Sequence, residues 1–263
     1  MSSRFSFSRA RGLPRQSEAS RRSGFGWSGG AGAGTAGDSD DAVRASPARG
    51  ASVAGDGVPT VLVVCTGNIC RSAYLHHRLA AALKDAGGES AGTMPGSAVR
   101  VISAGTGVNP RLRVPEPIIE AARGVAPGAA TSLEQHRPST VRAPLIEQAS
   151  LVLTATDAHA EQVLTEVPGA ARRVFTILDF AAAAQDLLAE ADVASADAAP
   201  AAGDLTAWAE RAQRWVAAET SPTRDLPDPF RRGDAAYARM AETLEPAVDV
   251  IAAVLRRASR PQS

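Results

Sequence analysis

Cysteine is nearly missing from this 263-residue chain, and aromatic side chains are scarce: it has two Cys, two Tyr, three Trp and six Phe. Two cysteines exclude a disulfide-built scaffold. They are also too few for a structural zinc site unless histidine joins them, and no histidine stands at finger spacing from them. No metal and no cofactor is expected. Long apolar runs are missing as well, none approaching the roughly 18 residues a membrane span requires. The arginines near the start lead into SGFGWSGGAGAG rather than the apolar core of a signal peptide. These absences predict a cytoplasmic protein without stable membrane insertion. Net charge is zero, with 28 basic and 28 acidic side chains, which gives no reason to expect a nucleic-acid partner.

What is present divides the chain in two. Residues 1–58 are rich in Gly, Ser and Arg and poor in branched aliphatics, so they cannot bury enough apolar surface to offset their ordering entropy. A disordered tail is expected there. Arg4, Arg9, Arg11, Arg15, Arg21 and Arg22 face a single acid, Glu18, in its first 25 residues. This is a solvated tail or an upstream extension rather than an electrostatic tether. Residues 59–258 carry the apolar periodicity of one domain, and 259–263 a short disordered end.

Within that domain strands and helices alternate. TVLVV (60–64) is short, continuous and β-branched, the pattern of a buried strand, and 72–87 follows as a helix with Leu75, Leu79 and Leu83 four apart. AVRVISAG (98–105) is a second strand. PEPIIEAARGV gives a short helix, and STVRAPLIEQA a second that starts at Ser139–Thr140. SLVLTAT (150–156) is a third strand, followed by a helix capped by Asp157. RRVFTIL (172–178) is a fourth strand running into an Ala-rich helix. After a low-complexity loop at 191–204 come helices at 205–219, carrying Trp208 and Trp215 on one face, and at 232–257. The fold class is therefore α/β: three layers, a four-stranded parallel sheet flanked by helices.

Ligands in such sheets bind beyond the carboxyl ends of the strands, and there the chain places CTGNICRS (65–72). A loop of this length between a strand and a helix gathers backbone N–H groups into an anion-binding nest, to which the helix N-terminus adds partial positive charge. Gly67 permits close backbone approach and Asn68 tolerates positive φ. Arg71 offers a planar fork suited to two oxygens of a tetrahedral anion. Such surroundings favour the thiolate of Cys65, with Ser72 placed to donate to the sulfur. A thiolate facing bound phosphate is a nucleophile for in-line attack. The P-loop GKS/GKT ending and the G-x-G-x-x-G pattern are both missing.

Taken with its strand–loop–helix context, Cys-x-Gly-Asn-x-Cys-Arg-Ser resembles the phosphate-binding loop of the low-molecular-weight protein tyrosine phosphatases. VISAGT (101–106), LEQHRPSTV, SLVLTATDAH and DLPDPF (225–230) resemble further segments of that family in the same order, and the Ala/Arg bias is similar to that of actinobacterial proteins. The resemblance implies a metal-independent phosphatase of phosphotyrosine proteins that works through a cysteinyl-phosphate. Cys65 would be the nucleophile, Arg71 the phosphate clamp and Asp228 the general acid. Thr66, Gly67, Asn68, Ile69, Cys70, Arg71 and Ser72 would form the phosphate-binding loop. Asn68, Ser103 and His136 would form the hydrogen-bond network that holds that loop in shape. Cys70 would protect an oxidised Cys65 by forming a disulfide with it, although a buried packing role is its alternative. Asp225 is the rival of Asp228. Ile69 is the residue of the family's tyrosine phosphatases, where its arginine phosphatases carry Thr. A phosphotyrosine protein, a bacterial tyrosine kinase among the candidates, would be the partner.

The substrate cleft departs from the family's eukaryotic members. Phe230 is followed by Arg231 rather than a second aromatic, so a thinner aromatic wall and a basic rim of Arg111, Arg113, Arg231 and Arg232 are expected. His76 and His77 read as surface or packing residues, and His159 receives no role. Two other functions remain open: an arsenate reductase that uses a small-molecule thiol, and a non-catalytic phosphate-binding module. A thioredoxin-coupled reductase would need further cysteines after Cys70, which the chain lacks, so only the small-thiol version stays open. A binding module would require loss of Cys65, Arg71 or the acid, and all three are present.

Overall fold

A computed structural model describes residues 58–85, 99–193, 204–219 and 224–259. The expected disorder at 1–57 and 260–263 lies outside the described residues. Four strands form one parallel sheet in the order β2-β1-β3-β4. They are β1 (Thr60–Cys65), β2 (Arg100–Gly105), β3 (Leu151–Thr154) and β4 (Val174–Thr176). Among the described residues, eight α-helices accompany them: α1 (Arg71–Asp85), α2 (Glu116–Val125), α3 (Pro127–Gln135), α4 (Ala143–Gln148), α5 (Asp157–Glu166), α6 (Ile177–Val193), α7 (Leu205–Ala218) and α8 (Asp234–Ala258). The expected four-stranded α/β architecture is the one observed. No helix among the described residues is long and apolar enough to cross a membrane.

β1 is buried along its whole length, and its alternation sorts side chains between two cores. Val61 and Val63 join the larger core, with Leu75 and Leu79 of α1 and Leu244, Val248 and Ile251 of α8. Leu62 and Val64 face the smaller one, with Ile146 of α4 and Val163 of α5. Being covered on both faces is why the strand reads as a continuous apolar run. Tyr74 and Arg78 tie α1 to α8 through one carboxylate. The Arg78 guanidinium donates to both oxygens of Glu245 at 2.9 and 2.6 Å, and the Tyr74 hydroxyl donates to Oε1 at 2.6 Å.

Local readings needed revision at five places. α3 was not expected; it buries only Ala129, Ala130 and Leu133, too small an apolar stripe to register as a period. Ser139 and Thr140 do not begin a helix. Instead 139–141 runs extended beside Gly105, whose N–H donates to the Ser139 carbonyl at 2.8 Å and whose carbonyl accepts from Val141 at 2.9 Å. The cap of α5 is Thr156, whose hydroxyl accepts from the His159 N–H; Asp157 is the first helical residue. β4 is shorter than 172–178, because the Asp179 N–H donates to Thr176 Oγ1 and Thr176 donates back to the Asp179 carboxylate, starting α6 at once. At 191–193 that helix replaces the start of the expected loop, most of which lies outside the described residues.

The order 2-1-3-4 puts β1 where the chain crosses to opposite sides of the sheet. A crevice opens at the carboxyl end of such a strand. Cys65 is the last residue of β1.

Candidate active site

β1 ends at Cys65 and α1 begins at Arg71, leaving Thr66–Cys70 to close the loop. The loop rests on the residue paired with Cys65, Gly105. A Cβ there would lie 2.4 Å from the Thr66 carbonyl oxygen and 3.0 Å from the Asn68 nitrogen. Glycine is therefore required by the close approach of the two backbones. The next two residues hold the loop from below, Thr106 N–H donating to the Cys65 carbonyl and Gly107 N–H to that of Thr66, each at 2.9 Å.

Asn68 is the hub. It is fully buried and its φ is 53°, in the left-handed region that asparagine tolerates better than most residues. Its side-chain oxygen accepts from the Ser139 N–H at 2.9 Å, which fixes the amide orientation. The Nδ2 then donates to Ser72 Oγ at 3.0 Å. With that lone pair occupied, the Ser72 proton is free for Cys65 Sγ, 2.9 Å away. The backbone carbonyl of Asn68 accepts from His136 Nε2 at 2.8 Å.

His136 begins a histidine row. Its Nδ1 lies 3.0 Å from His77 Nε2, and the His77 ring stacks on His76 with centroids 4.3 Å apart. Ser103 sits at the far end, its hydroxyl 3.0 Å from His76 Nδ1. Ser103 thus connects with the loop by way of the histidine row, which ends on the Asn68 carbonyl. Burial lowers the pKa of His76 to about 4 and of His77 to about 3, with the neighbouring histidines adding to both shifts. Burial lowers that of His136 too, opposed by its bond to Asn68.

Arg71 is almost wholly buried beneath the loop. One terminal nitrogen donates to the Leu226 carbonyl at 3.0 Å, and the other lies 3.2 Å from the Asp228 carboxylate. Its Nε is buried and has no partner in the protein, a donor that an oxyanion would satisfy. Asp228 is about half exposed and faces Cys65, Thr66, Gly67, Ile69, Cys70 and Arg71 across one pocket, with Asn109, Leu112 and Phe230 on its rim. The rival Asp225 turns away; its carboxylate accepts from the Asp157 N–H at 2.8 Å at the start of α5. Cys70 is buried in the pocket floor, and its pKa is pushed up to about 12 by burial first, then by Cys65 and Asp228, against the pull of Arg71. Both cysteines are free thiols.

The family model of "Low molecular weight phosphotyrosine protein phosphatase" matches residues 60–195, more than half of the chain. The chain belongs to this family. Among solved structures, the phosphatase is similar to a low molecular weight protein tyrosine phosphatase from Bacillus subtilis (21% identity, 76% of this chain and 99% of that one, TM-score 0.51). It is also similar to a mutant of the YwlE arginine phosphatase with a phosphorylated active-site serine (20%, 75% and 96%, 0.50). A third is the tyrosine phosphatase Wzb from Escherichia coli K30 in complex with sulphate (22%, 74% and 97%, 0.47). No curated protein matches the sequence.

The phosphatase brings Cys65, Arg71, Asp228 and Phe230 to one pocket from β1, α1 and the segment before α8. None of the four expected rim arginines lines it. Arg231, at φ 60°, carries its guanidinium 5.1 Å over the Phe230 ring, and Arg113 folds back onto the carbonyls of Pro110 and Leu112. Leu112 and Phe230 give the rim its apolar part beside Asn109, with Arg231 packed on the Phe230 ring and Arg113 folded onto its own turn.

Two contributors escaped the sequence reading. Ser139 orients Asn68 through a backbone N–H, which leaves no signal in residue identity. His159 lies against the loop through Thr66: Nε2 is 2.9 Å from Thr66 Oγ1, and Nδ1 is 2.6 Å from Thr156 Oγ1. Arg71 makes a long 3.5 Å contact with the same Thr66 oxygen. Burial lowers the His159 pKa, with Arg71 adding and Asp228 and Asp225 opposing. In the sequence it stood only beside the expected Asp157 cap.

Proposed function

We propose that this protein hydrolyses phosphotyrosine monoesters on proteins through a cysteinyl-phosphate intermediate. The observation that carries the reading is the Ser72–Cys65 contact of 2.9 Å, in a pocket whose opposite wall is Asp228. Phosphate would lie in the loop with two of its oxygens on the Arg71 fork, the unpartnered Nε included. Binding the dianion would draw Arg71 away from Asp228 and free that carboxyl group for the leaving oxygen. Cys65 sulfur attacks phosphorus as the P–O bond to the tyrosine breaks, and Asp228 protonates the departing phenolate. Asp228 then takes a proton from water as that water attacks phosphorus and breaks the S–P bond. Thiolate and inorganic phosphate are released.

Phosphotyrosine is preferred over phosphoarginine because Ile69, Leu112 and Phe230 give an apolar rim to receive a ring. A phosphotyrosine protein, with a bacterial tyrosine kinase as one candidate, would be the physiological partner. The test is hydrolysis of para-nitrophenyl phosphate and of phosphotyrosine and phosphoarginine peptides with EDTA present, wild type beside Cys65→Ser. Turnover of both phenolic substrates, abolished in the variant, is the expected outcome. Faster release from phosphoarginine would replace the substrate assignment, and no turnover by the reduced protein would sink the phosphatase reading. Arsenate reduction with a small thiol and phosphate binding without turnover would then be measured instead.

A further inference from the structure

His76, His77 and His136 offer one ring nitrogen each, all within 4.8 Å of one another. They are three of the four histidines in the chain. We propose that they form a site for one divalent cation of the zinc class, built onto the carbonyl that holds the phosphate-binding loop.

The tautomers argue for it. A carbonyl oxygen only accepts, so His136 must donate Nε2–H to Asn68, and its Nδ1 carries a lone pair. That lone pair points at His77 Nε2, 3.0 Å away. A metal-bound histidine typically donates its second ring N–H to a backbone carbonyl or similar acceptor, which fixes the ring and raises its basicity. His136 already has this partner in Asn68, and His76 is held in a comparable way by the Ser103 hydroxyl at 3.0 Å.

The rings also converge where helix geometry alone would separate them. Consecutive helical residues point about 100° apart, yet the His76 and His77 rings stack with only 19° between their planes. Both meet His136 edge-on, with centroids 6.3 and 5.1 Å away. Ligand nitrogens around a tetrahedral zinc ion lie about 3.3 Å apart, given bonds of about 2.0–2.1 Å. The His77–His136 pair is already within that separation, and a side-chain rotation of His76 closes the third corner. Coordination moves the His77 proton from Nε2 to Nδ1, so the three neutral rings release no proton. Imidazole donors select zinc, copper or nickel over magnesium or calcium. The charges that bear on the cluster, Lys84 on His77 and Arg137 on His136, belong to exposed side chains. A bound cation would brace Asn68 in its left-handed conformation from the side away from the phosphate pocket.

Cys65 and Cys70 would also take zinc, so the measurement uses the full chain carrying Cys65→Ser and Cys70→Ser, with Zn²⁺ alone as the probe. Calorimetry should show one equivalent bound more tightly than about 100 µM. Adding His76→Gln and His77→Gln should weaken it at least 100-fold on the order expected for lost ligands. Unchanged affinity in that variant, or no binding with the histidines intact, would overturn the proposal. A second readout needs no histidine substitution: the ring resonances of His76, His77 and His136 should shift together on adding Zn²⁺ while those of His159 stay in place. Rings that do not move would equally overturn it. Neither measurement depends on catalysis, so the site can fail while the phosphatase reading stands.

Discussion

Ser139 donates its backbone N–H to the side-chain oxygen of Asn68 at 2.9 Å, across 71 residues of chain. This bond decides which end of the amide meets Ser72, and so which way the Ser72 proton points. Asn68→Ala should remove both side-chain bonds and place a Cβ residue without compensation at φ 53°. A stability loss of about 1–3 kcal/mol is expected, with kcat down by roughly 10–100-fold because the loop loses its frame. Asn68→Gly separates the two effects. It relieves the backbone and should recover part of the stability but little of the kcat, as read by thermal melts and para-nitrophenyl phosphate kinetics.

Asp228 and Asp225 lie three positions apart and should behave oppositely. Asp228→Asn should lower kcat for a phenyl ester of poor leaving ability by roughly 10²–10⁴-fold, and by much less for an ester that leaves without a proton. Asp225→Asn weakens only the bond to the start of α5, so it should cost about 0.5–1 kcal/mol of stability and leave kcat near wild type. A parallel leaving-group series on both variants checks the assignment. Equal loss in the two variants would mean that the acid has been misidentified.

Cys70 is held as a thiol by the upward shift to about 12. At neutral pH one equivalent of iodoacetamide should therefore label Cys65 and spare Cys70, as peptide mass spectrometry would report. Under hydrogen peroxide, Cys65 becomes a sulfenic acid, and the Cys70 thiol condenses with it to a disulfide and water. Activity lost by wild type should return on adding dithiothreitol. Cys70→Ser should pass on to sulfinic acid and stay inactive. If it recovers as well as wild type does, Cys70 is a packing residue.

Stability should fall on acidification in a way that His159 shares. Its folded pKa lies below the ordinary 6.5, so as pH drops the unfolded chain takes up the proton first. The stabilisation is complete above the unfolded pKa and is lost as pH falls towards the folded one, at up to about 1.4 kcal/mol per pH unit for a single proton. Urea melts at pH 7.5, 6.5 and 5.5 should show a steeper loss in wild type than in His159→Gln. Parallel slopes would remove His159 from the acid response.

The sequence alone determined the strand–loop–helix unit and its chemistry. A continuous buried strand, a loop with Gly67 and Asn68, and a helix following directly on Arg71 are each specified by neighbours in the chain, where local propensity and periodicity act. The alternation of elements was enough for the parallel sheet. The tertiary fold decided what depends on distant backbone. It placed Ser139 on the Asn68 amide, turned Asp225 to a helix end and Asp228 to the pocket, and sent Arg231 outward over Phe230. It also gathered two helix neighbours and a residue 59 positions beyond into one histidine cluster. A backbone N–H has no residue identity to read, and the direction of a side chain in a turn follows from what packs against it.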